Sequence, residues 1–395
     1  MRKIDRRVFL NVAGLSAAGL VLHSNQVFSA ITKGEVYPAN YRDVHNNMIT
    51  IDGAVPLMAG TLNPDHFDWW IKGGVTAISL TVGGANFGPE VTMDLLSWVA
   101  EQIQTRPELM LCHTVDDIHK AKQLGKLGIF YHFQGPSPLD IDLDRVWYYK
   151  QMGVGVMQFA YNTRNPFANG ITERVDGGLS ILGQRLVEAC NKARMIVDVS
   201  HTGPKSSLDA IEASSEPVIM SHANARGQID NPRNVPDEVL KAISQNGGFV
   251  GAVAYPPFVS TKKVPTMDDM VAMIDYMVEL MGVDHVSMGL DYDSSTHGVL
   301  PEEQVEANYK MMVDSGAWDP AAYPAPPYRY PKGMELPDTL QNLTGALMAR
   351  GYSDEDIAKI WGGNWLRVMG QVWGDPEAQL IEDEHRHEQQ FIHEH

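Results

Sequence analysis

The chain has 395 residues, of which 44% are hydrophobic and 20% are charged, a composition typical of a soluble globular protein with one large core. Its formal net charge is −18, and no cluster of lysine and arginine interrupts this acidity, which argues against nucleic-acid binding because phosphate backbones are repelled. Two cysteines, Cys112 and Cys190, are too few for a disulfide framework. They either pair or remain as buried free thiols, and we favour the free thiols.

The first 30 residues predict an export signal. Arg6 and Arg7 precede an apolar run that extends to about Leu22, and small residues follow near Ala30. This arrangement resembles a twin-arginine (Tat) signal, with an ordinary secretory signal as the alternative, and it predicts a mature protein in the periplasm. The apolar run is shorter than the ~18 residues that a membrane-spanning helix needs, and no long apolar stretch follows it. We therefore expect residues 1–30 to be removed and no transmembrane anchor to remain.

Eight short runs of β-branched and aromatic residues follow the signal, separated by amphipathic segments. The predicted strands are residues 48–53, 75–82, 128–133, 155–160, 195–200, 217–221, 248–254 and 285–290. The predicted helices are residues 91–105, 115–124, 182–192, 204–213, 236–245 and 267–281. Such alternation predicts βαβ units, and eight repeats favour an α/β fold of the (β/α)8 TIM-barrel type over a doubly wound sheet. We assign the barrel to residues 31–380.

Two regions depart from the alternation. Residues 294–337 are rich in Pro, Tyr and Gly and predict a long loop over the barrel mouth, after which helices are predicted at 339–350 and 353–368. The tail, residues 381–395, has several histidines among glutamates. We expect this tail to be solvated, with weak metal binding as the alternative.

Candidate chemistry is found where the predicted strands end, because barrel enzymes carry their active sites on that face. The fifth and sixth strands end in Ser-His pairs that contain His201 and His222, and Asp291 follows the eighth strand. Two neutral imidazoles and a carboxylate suit Zn²⁺ or a similar divalent ion, which can polarise a carbonyl or activate water. Either histidine alone could be a core residue, but their corresponding positions favour a shared metal site.

Six segments carry short motifs at consistent spacing: residues 177–183, 197–201, 217–223, 231–237, 289–293 and 363–368. Together they resemble the motifs of the membrane (renal-type) dipeptidases, peptidase family M19, over roughly residues 48–370. The resemblance implies a zinc-bound barrel that acts on dipeptides or similar small amides, often with a D-residue on the carboxyl side. It also implies a possible homodimer, since members of the family commonly dimerise.

The resemblance assigns roles to five positions. His201 and His222 fall on ligands of the second metal of the family. Arg233 falls on the clamp for the substrate carboxylate, which a guanidinium binds with two parallel hydrogen bonds. Asp291 falls on the acid/base residue beside the metal, and Tyr255 matches a tyrosine of the substrate pocket.

Other family positions are altered in this chain. Ala54 and Pro56 stand where the family has the His and Asp that hold its first metal. Gln134 replaces the bridging glutamate, and Tyr161 replaces the histidine that stabilises the tetrahedral intermediate. His132 lies two residues before Gln134 and shares its face of the strand, so it is a candidate to serve as a ligand instead of Gln134 or to bind substrate.

These changes predict a mononuclear site with one divalent metal, Zn²⁺, bound by His201 and His222, while Asp291 or Gln134 adds an oxygen. The first hypothesis is an enzyme that hydrolyses a dipeptide or a peptide-like amide with a carboxylate. Non-hydrolytic chemistry is an alternative: elimination, isomerisation or maturation of a secreted peptide metabolite such as a siderophore. A barrel that has lost catalysis and binds a ligand is the other alternative.

Overall fold

The computed structural model describes residues 29–32, 35–56, 63–84, 87–292 and 300–374. Most of the predicted export signal, residues 1–28, and the predicted tail, residues 381–395, lie outside the described residues, so both stay predictions. None of the helices in the described part of the chain is long and apolar enough to cross a membrane.

The described residues contain eleven strands, and eight of these build one parallel barrel. The strands are β1 Ser29–Thr32, β2 Glu35–Tyr37, β3 Ile51–Pro56, β4 Ala77–Gly84, β5 Leu109–Leu111, β6 Leu127–Gln134, β7 Val154–Gln158, β8 Ile196–Asp198, β9 Val218–Ile219, β10 Val250–Ala252 and β11 Val286–Met288. The barrel strands are β3, β4 and β6 to β11, which agree with the eight predicted strands to within a few residues. Strands β1 and β2 form a separate antiparallel hairpin, and β5 pairs with the start of β6.

Helices fill the connections between the strands and the C-terminal part of the described chain. They are α1 Tyr41–Asn47, α2 Phe67–Lys72, α3 Pro89–Thr105, α4 Val115–Leu124, α5 Asp144–Gln151, α6 Ile181–Lys192, α7 Pro204–Ala213, α8 Asp237–Gln245, α9 Pro256–Val259, α10 Met267–Met281, α11 Glu302–Asp314, α12 Gln341–Arg350, α13 Asp354–Ala358 and α14 Asn364–Trp373. The helices predicted between strands are all present, whereas α1, α2, α5 and α9 were not predicted.

Two predictions about the C-terminal part are wrong in detail. The region 294–337, predicted as a loop, contains α11, which buries only Val305 and therefore shows no apolar stripe in the sequence. The single helix predicted at 353–368 is interrupted by a π-helical turn, Lys359–Gly363, which separates α13 from α14.

Hydrogen bonds join the two parallel sheets at both of their edges and so close the barrel. Strands β3, β4, β6, β7, β8 and β9 form one continuous parallel sheet, and β10 pairs with β11. A parallel bridge between Met220 and Val250 joins β9 to β10. The backbone N–H of Asp291 donates to the carbonyl oxygen of Ala54 at 3.0 Å and joins the end of β11 to β3. These connections confirm the predicted (β/α)8 barrel.

Buried apolar side chains form two clusters. Ile51, Ala77 and Phe130 belong to the smaller one, which includes the tryptophans of α14, and the larger one joins strands, helices and the cover of the barrel. Cys112 belongs to the smaller cluster and Cys190 to the larger one. Both cysteines are buried and free, which confirms the predicted free thiols.

Helix α14 closes the end of the barrel at which the strands begin. A Cβ atom at Gly53 would lie 2.2 Å from Trp365 Cζ2, and one at Gly155 would lie 2.3 Å from Trp373 Cζ2. Trp365 Nε1 also donates a hydrogen bond to the carbonyl oxygen of Met288 at 3.1 Å. Glycine is therefore required at both strand positions, because the two indole rings occupy the space of a side chain.

Residues 315–336, which we call the cover segment, lie over the opposite end of the barrel. Trp318 Nε1 donates to the Tyr161 hydroxyl at 3.0 Å, and the Tyr330 hydroxyl donates to the carbonyl oxygen of Asp291 at 2.5 Å. Trp318 stacks on Tyr323 with ring centroids 4.7 Å apart. The insertion therefore covers the mouth of the barrel, as predicted.

Candidate metal and active site

The structure brings His201 and His222 together at the carboxyl ends of β8 and β9. Their Nε2 atoms lie 2.8 Å apart, and their ring planes meet at 63°. His201 has a left-handed backbone conformation with φ of 58°. Both side chains are buried, with exposed fractions of 3% and 0%. The two imidazoles therefore meet at one point beneath the cover segment.

His222 is oriented by a buried chain of hydrogen bonds that starts at Asp198. The Ser221 hydroxyl donates to Asp198 Oδ2 at 2.5 Å. Because that proton is used, Ser221 Oγ accepts from His222 Nδ1 at 2.8 Å. The proton of His222 is thus held on Nδ1, and the lone pair of Nε2 points toward His201, which is the arrangement that a metal-binding histidine needs.

Asp198 is an ionised group at the base of this chain. Burial alone would raise the pKa of its carboxyl, but contact with His132 and the Ser221 hydrogen bond outweigh burial and hold the pKa below its usual value. The backbone N–H groups of Ser200 and Ser221 also donate to Asp198 Oδ1, at 2.8 and 3.1 Å. A single carboxylate therefore fixes the turns that follow β8 and β9.

Both imidazoles are neutral at ordinary pH. Burial, together with the positive charge of Arg233, lowers the pKa of His201 and of His222 well below the usual histidine value. A neutral imidazole nitrogen is the form that binds a transition metal. The electrostatic environment thus favours ligands for a cation over a pair of imidazolium ions.

Arg233 is a buried cation next to the two histidines. Its side chain is 1% exposed; Nε lies 3.1 Å from His201 Nδ1, and Nη2 donates to the carbonyl oxygen of His222 at 3.1 Å. The guanidinium carbon lies 5.6 Å from the centroid of the Phe258 ring. A buried cation is costly unless negative charge balances it, so this position suits an anionic ligand.

The two proposed oxygen ligands lie at the same end of the barrel but do not complete a cluster. Gln134 ends β6 and is 7% exposed, while Asp291 follows β11, where its charge contributes to the raised pKa of Tyr161. Within the described ranges, no group of three or more His, Cys, Asp and Glu side chains is arranged to hold a metal ion. The structure therefore supplies the two nitrogens and does not place a third protein ligand.

The imidazole pair fits one divalent cation. Two nitrogens bound tetrahedrally at zinc lie about 3.3 Å apart, so the observed 2.8 Å requires only a small opening of the rings. A binuclear centre does not fit, since Ala54 and Pro56 carry no donor atoms. The donor atoms present are thus fewer than a binuclear centre needs.

His132 and Tyr255 are both placed away from the open space of the mouth. His132 is fully buried in the barrel interior, with Nε2 3.3 Å from Asp198 Oδ2 and its ring centroid 6.2 Å from that of His222. Tyr255 is 3% exposed, and its hydroxyl bonds to that of Tyr328 in the cover segment. His132 is thus placed to support Asp198, and Tyr255 to anchor the cover segment.

Tyr161 forms one wall of the site and borders its open cleft. Its ring stacks on His201 with centroids 4.3 Å apart and planes at 22°. Burial raises the pKa of its hydroxyl well above the usual value, so the phenol stays protonated. A cleft of about 500 Å³ opens beside Tyr161, between the segments that follow β6 and β7 and residues 315–317. A substrate could approach the imidazole pair from this side.

Several residues of the site were not predicted from the sequence. Asp198 and Ser221 lie inside the motif segments 197–201 and 217–223, and alternation along the strand could have marked Asp198 as facing inward. Asn162, whose Oδ1 lies 2.8 Å from His201 Nδ1, and the cover residues Trp318 and Tyr323 had no recognisable signal. Asn162 contacts Tyr323, and Trp318 contacts Tyr161, across more than 150 residues of sequence, and periodicity does not reveal such contacts.

Comparison with known proteins gives a consistent result. The family described as membrane dipeptidase, peptidase family M19, matches residues 71–314 and 326–378. Dipeptidase tcpJ from Claviceps purpurea (strain 20.1) is 28% identical over 284 residues, which are 71% of this chain and 59% of that protein. The matched region thus spans less than two thirds of the fungal relative.

Two solved structures share the fold. An amidohydrolase from Pseudomonas aeruginosa has a TM-score of 0.75 and 32% sequence identity, covering 85% of this chain and 99% of that one. The probable dipeptidase PvdM from Pseudomonas aeruginosa has a TM-score of 0.70 and 19% identity, covering 85% and 98%. The second likeness shows the fold alone. Since the family match covers well over half of the residues, the chain belongs to the membrane dipeptidase family, peptidase family M19, a family of metallopeptidases.

Proposed function

We propose that this protein is a metal-dependent amide hydrolase that acts on a dipeptide or a similar small substrate with a free carboxylate, at a site for one Zn²⁺ ion. The observation that carries the proposal is the pair of neutral imidazoles, His201 and His222, beside the buried guanidinium of Arg233. Membership of a peptidase family and 32% identity to a bacterial amidohydrolase support amide hydrolysis.

In the proposed reaction, Arg233 binds the substrate and Asp291 transfers the proton that the leaving amine needs. Arg233 would exchange its contact with His201 for two hydrogen bonds to the substrate carboxylate. Asp291, at the exit of β11, would take a proton from the attacking water and transfer it to the leaving amine as the amide C–N bond breaks. Tyr161 covers one face of His201 and keeps its ring in place. A bound divalent cation supplies polarisation of the amide carbonyl.

Metal content tests the site. Protein purified without added metal should contain about one equivalent of zinc. His201→Ala and His222→Ala should each lose this zinc, because either substitution leaves the metal with only one histidine ligand. His113→Ala is the matched control, since His113 lies at the opposite end of the barrel near Trp373. Unchanged metal content in both ligand variants would show that the assigned ligands are wrong.

Substrate preference tests the reaction. Hydrolysis of dipeptides with a free C-terminal carboxylate, in L and D forms, should be compared with hydrolysis of the same dipeptides as C-terminal amides. The free acids should be preferred, because the buried guanidinium gains an anionic partner only from them. Equal rates for acids and amides would contradict the proposed role of the carboxylate.

Non-hydrolytic chemistry is the second candidate, and the missing first-metal ligands favour it. Without donors at Ala54 and Pro56, a hydroxide shared by two metals has no site, which makes ordinary dipeptide hydrolysis weak. Mass spectrometry of a peptide-like metabolite before and after incubation separates the candidates. Hydrolysis gives products whose masses sum to the substrate plus one water, and elimination lowers the mass. Isomerisation leaves the mass unchanged but alters chromatographic retention, whereas a binding protein changes neither.

A further inference from the structure

Asn162 connects the imidazole pair to the cover segment. It is fully buried and has a left-handed backbone conformation with φ of 57°. Its Nδ2 donates to the carbonyl oxygen of Ala317 and to the hydroxyl of Tyr323, both at 3.0 Å. A carbonyl oxygen only accepts hydrogen bonds, so this contact fixes the amide with its oxygen toward His201.

This orientation decides where His201 carries its proton. Asn162 Oδ1 lies 2.8 Å from His201 Nδ1, so an N–H at Nδ1 is favoured and the lone pair lies on Nε2. His222 already presents an Nε2 lone pair, because its Nδ1 proton is held by Ser221. Two lone pairs that face each other at 2.8 Å repel unless a cation lies between them.

Arg233 favours the opposite arrangement. Its Nε–H points at the same His201 Nδ1 from 3.1 Å, and the ring nitrogen has only one in-plane position for a partner. If Nδ1 accepts from Arg233, the proton moves to Nε2 and donates to His222, which blocks a metal. Asn162 is thus the partner of the metal-binding form, and Arg233 is the partner of the metal-free form.

We propose that Asn162 is a positioning residue for the metal: its amide oxygen holds His201 in the tautomer whose Nε2 binds a divalent cation. The proposal rests on the proposed metal site at His201 and His222. It gives the cover segment a second role, since the orientation of the amide depends on Ala317 and Tyr323.

Two substitutions separate the oxygen of Asn162 from its structural contacts. Asn162→Gly removes the side chain without backbone strain, because glycine accepts the positive φ. Asn162→Asp keeps an acceptor for His201 Nδ1 and tolerates the same φ, but it loses the donor group that bonds to Ala317. Asp140→Gly is the control, because Asp140 also has a positive φ and its exposed side chain lies outside the site.

The measurement is zinc affinity by competition with a chelator, together with the absorption spectrum of the Co²⁺-substituted protein. Loss of such a partner of a metal-bound histidine typically costs 10–100-fold in metal affinity, so we expect this loss for Asn162→Gly. Asn162→Asp should restore the affinity and the Co²⁺ spectrum, and Asp140→Gly should bind zinc as the wild type does. Thermal unfolding of the metal-free variants checks that each one folds.

Wild-type affinity in Asn162→Gly would overturn the inference. Equal weakening in Asn162→Gly and Asn162→Asp would also overturn it, because a purely structural role through Nδ2 predicts that result. Zinc binding that His201→Ala leaves unchanged would instead remove the proposed metal site, and this inference with it.

Discussion

Asp198 lies beneath both candidate ligands and accepts hydrogen bonds from the turns that carry them. Its two oxygens receive the N–H groups of Ser200 and Ser221 and the Ser221 hydroxyl, while His132 lies within 3.3 Å. The Asp198 carboxylate therefore holds together the turns that follow β8 and β9, and through Ser221 it keeps the proton of His222 on Nδ1. The geometry of the site depends on this buried group as much as on the imidazoles themselves.

The sequence motifs at the strand ends were sufficient to predict the imidazole pair, but they did not reveal the residues that hold the two rings in place. His201 and His222 follow strands at corresponding positions, so the barrel topology alone predicts that they meet. Asn162 and Trp318 reach the site from loops, and loop geometry depends on long-range contacts that a single sequence does not display. His132 was predicted to share the face of Gln134 and lies in the barrel interior, where it is fully buried and contacts Asp198.

Replacement of Arg233 tests whether the site is built for an anion. Arg233→Met should raise the KM for a substrate with a free carboxylate by roughly 10–100-fold, the value of a charge-assisted hydrogen-bond pair of about 1.5–3 kcal/mol. The KM for the corresponding amide should change little, which provides the control. An unaltered KM for the acid would exclude the clamp.

At the level of elements, the eight barrel strands were predictable because each is a short apolar run that is buried on both faces. Helices were predictable where one face packs on the barrel, as in α8 and α10. Helix α11 was missed because it lies mostly exposed and gives no periodic signal. Helix α14 was predicted as a helix, but its role as the plug of the barrel follows only from the contacts of its two tryptophans.

The contact between α14 and the strands predicts opposite effects for two alanine substitutions. Gly155→Ala should lower the free energy of unfolding by about 1–3 kcal/mol, because the added methyl overlaps the Trp373 ring. Gly370→Ala should raise it by about 0.5–1 kcal/mol, since Gly370 lies within α14 with open space around it and alanine is the better helix former. Urea denaturation measures both. Similar effects at the two positions would contradict the tight contact.

The link between α2 and β3 predicts a pH-dependent effect of Trp70→Phe. Burial raises the pKa of Asp52 to about 6, from an ordinary 3.8, although hydrogen bonds from Trp70, Leu290 and Ala54 act to lower it. Because the folded-state pKa is the higher one, this carboxyl contributes stability below about pH 4, and the contribution is lost as pH rises through 6. Trp70 Nε1 donates to Asp52 Oδ2 at 2.9 Å, and a hydrogen bond to an ionised acceptor is the stronger one.

Trp70→Phe should therefore destabilise the fold more at pH 8 than at pH 4, by about 1 kcal/mol. The loss of ring size is the same at both pH values and cancels in the difference. Chemical denaturation of both proteins at the two pH values provides the measurement. A pH-independent effect would mean that Asp52 is already ionised, or neutral, throughout this range.

For the whole molecule, donor groups are distributed unequally around the barrel. The wall made by β8 to β11 carries both imidazoles and leads into Asp291, whereas β3 has Ala54 and Pro56 where the family pattern places metal ligands. The cover segment and the buried Arg233 close the same side. The candidate metal-binding and anion-binding side chains therefore lie on one half of the barrel mouth, which is consistent with one cation and one anionic substrate group.

The predicted export signal determines whether this protein folds before or after export, and the candidate metal ligands are enclosed in the folded barrel. His201 and His222 are at most 3% exposed, so a metal is expected to enter before or during closure of the barrel, and the twin-arginine route carries folded cargo. Replacement of Arg6 and Arg7 by lysine should leave the precursor in the cytoplasm, folded and containing zinc. Lys3→Ala is the control and should be exported. Cell fractionation with metal analysis of each fraction tests this, and normal export of the double variant would exclude the twin-arginine route.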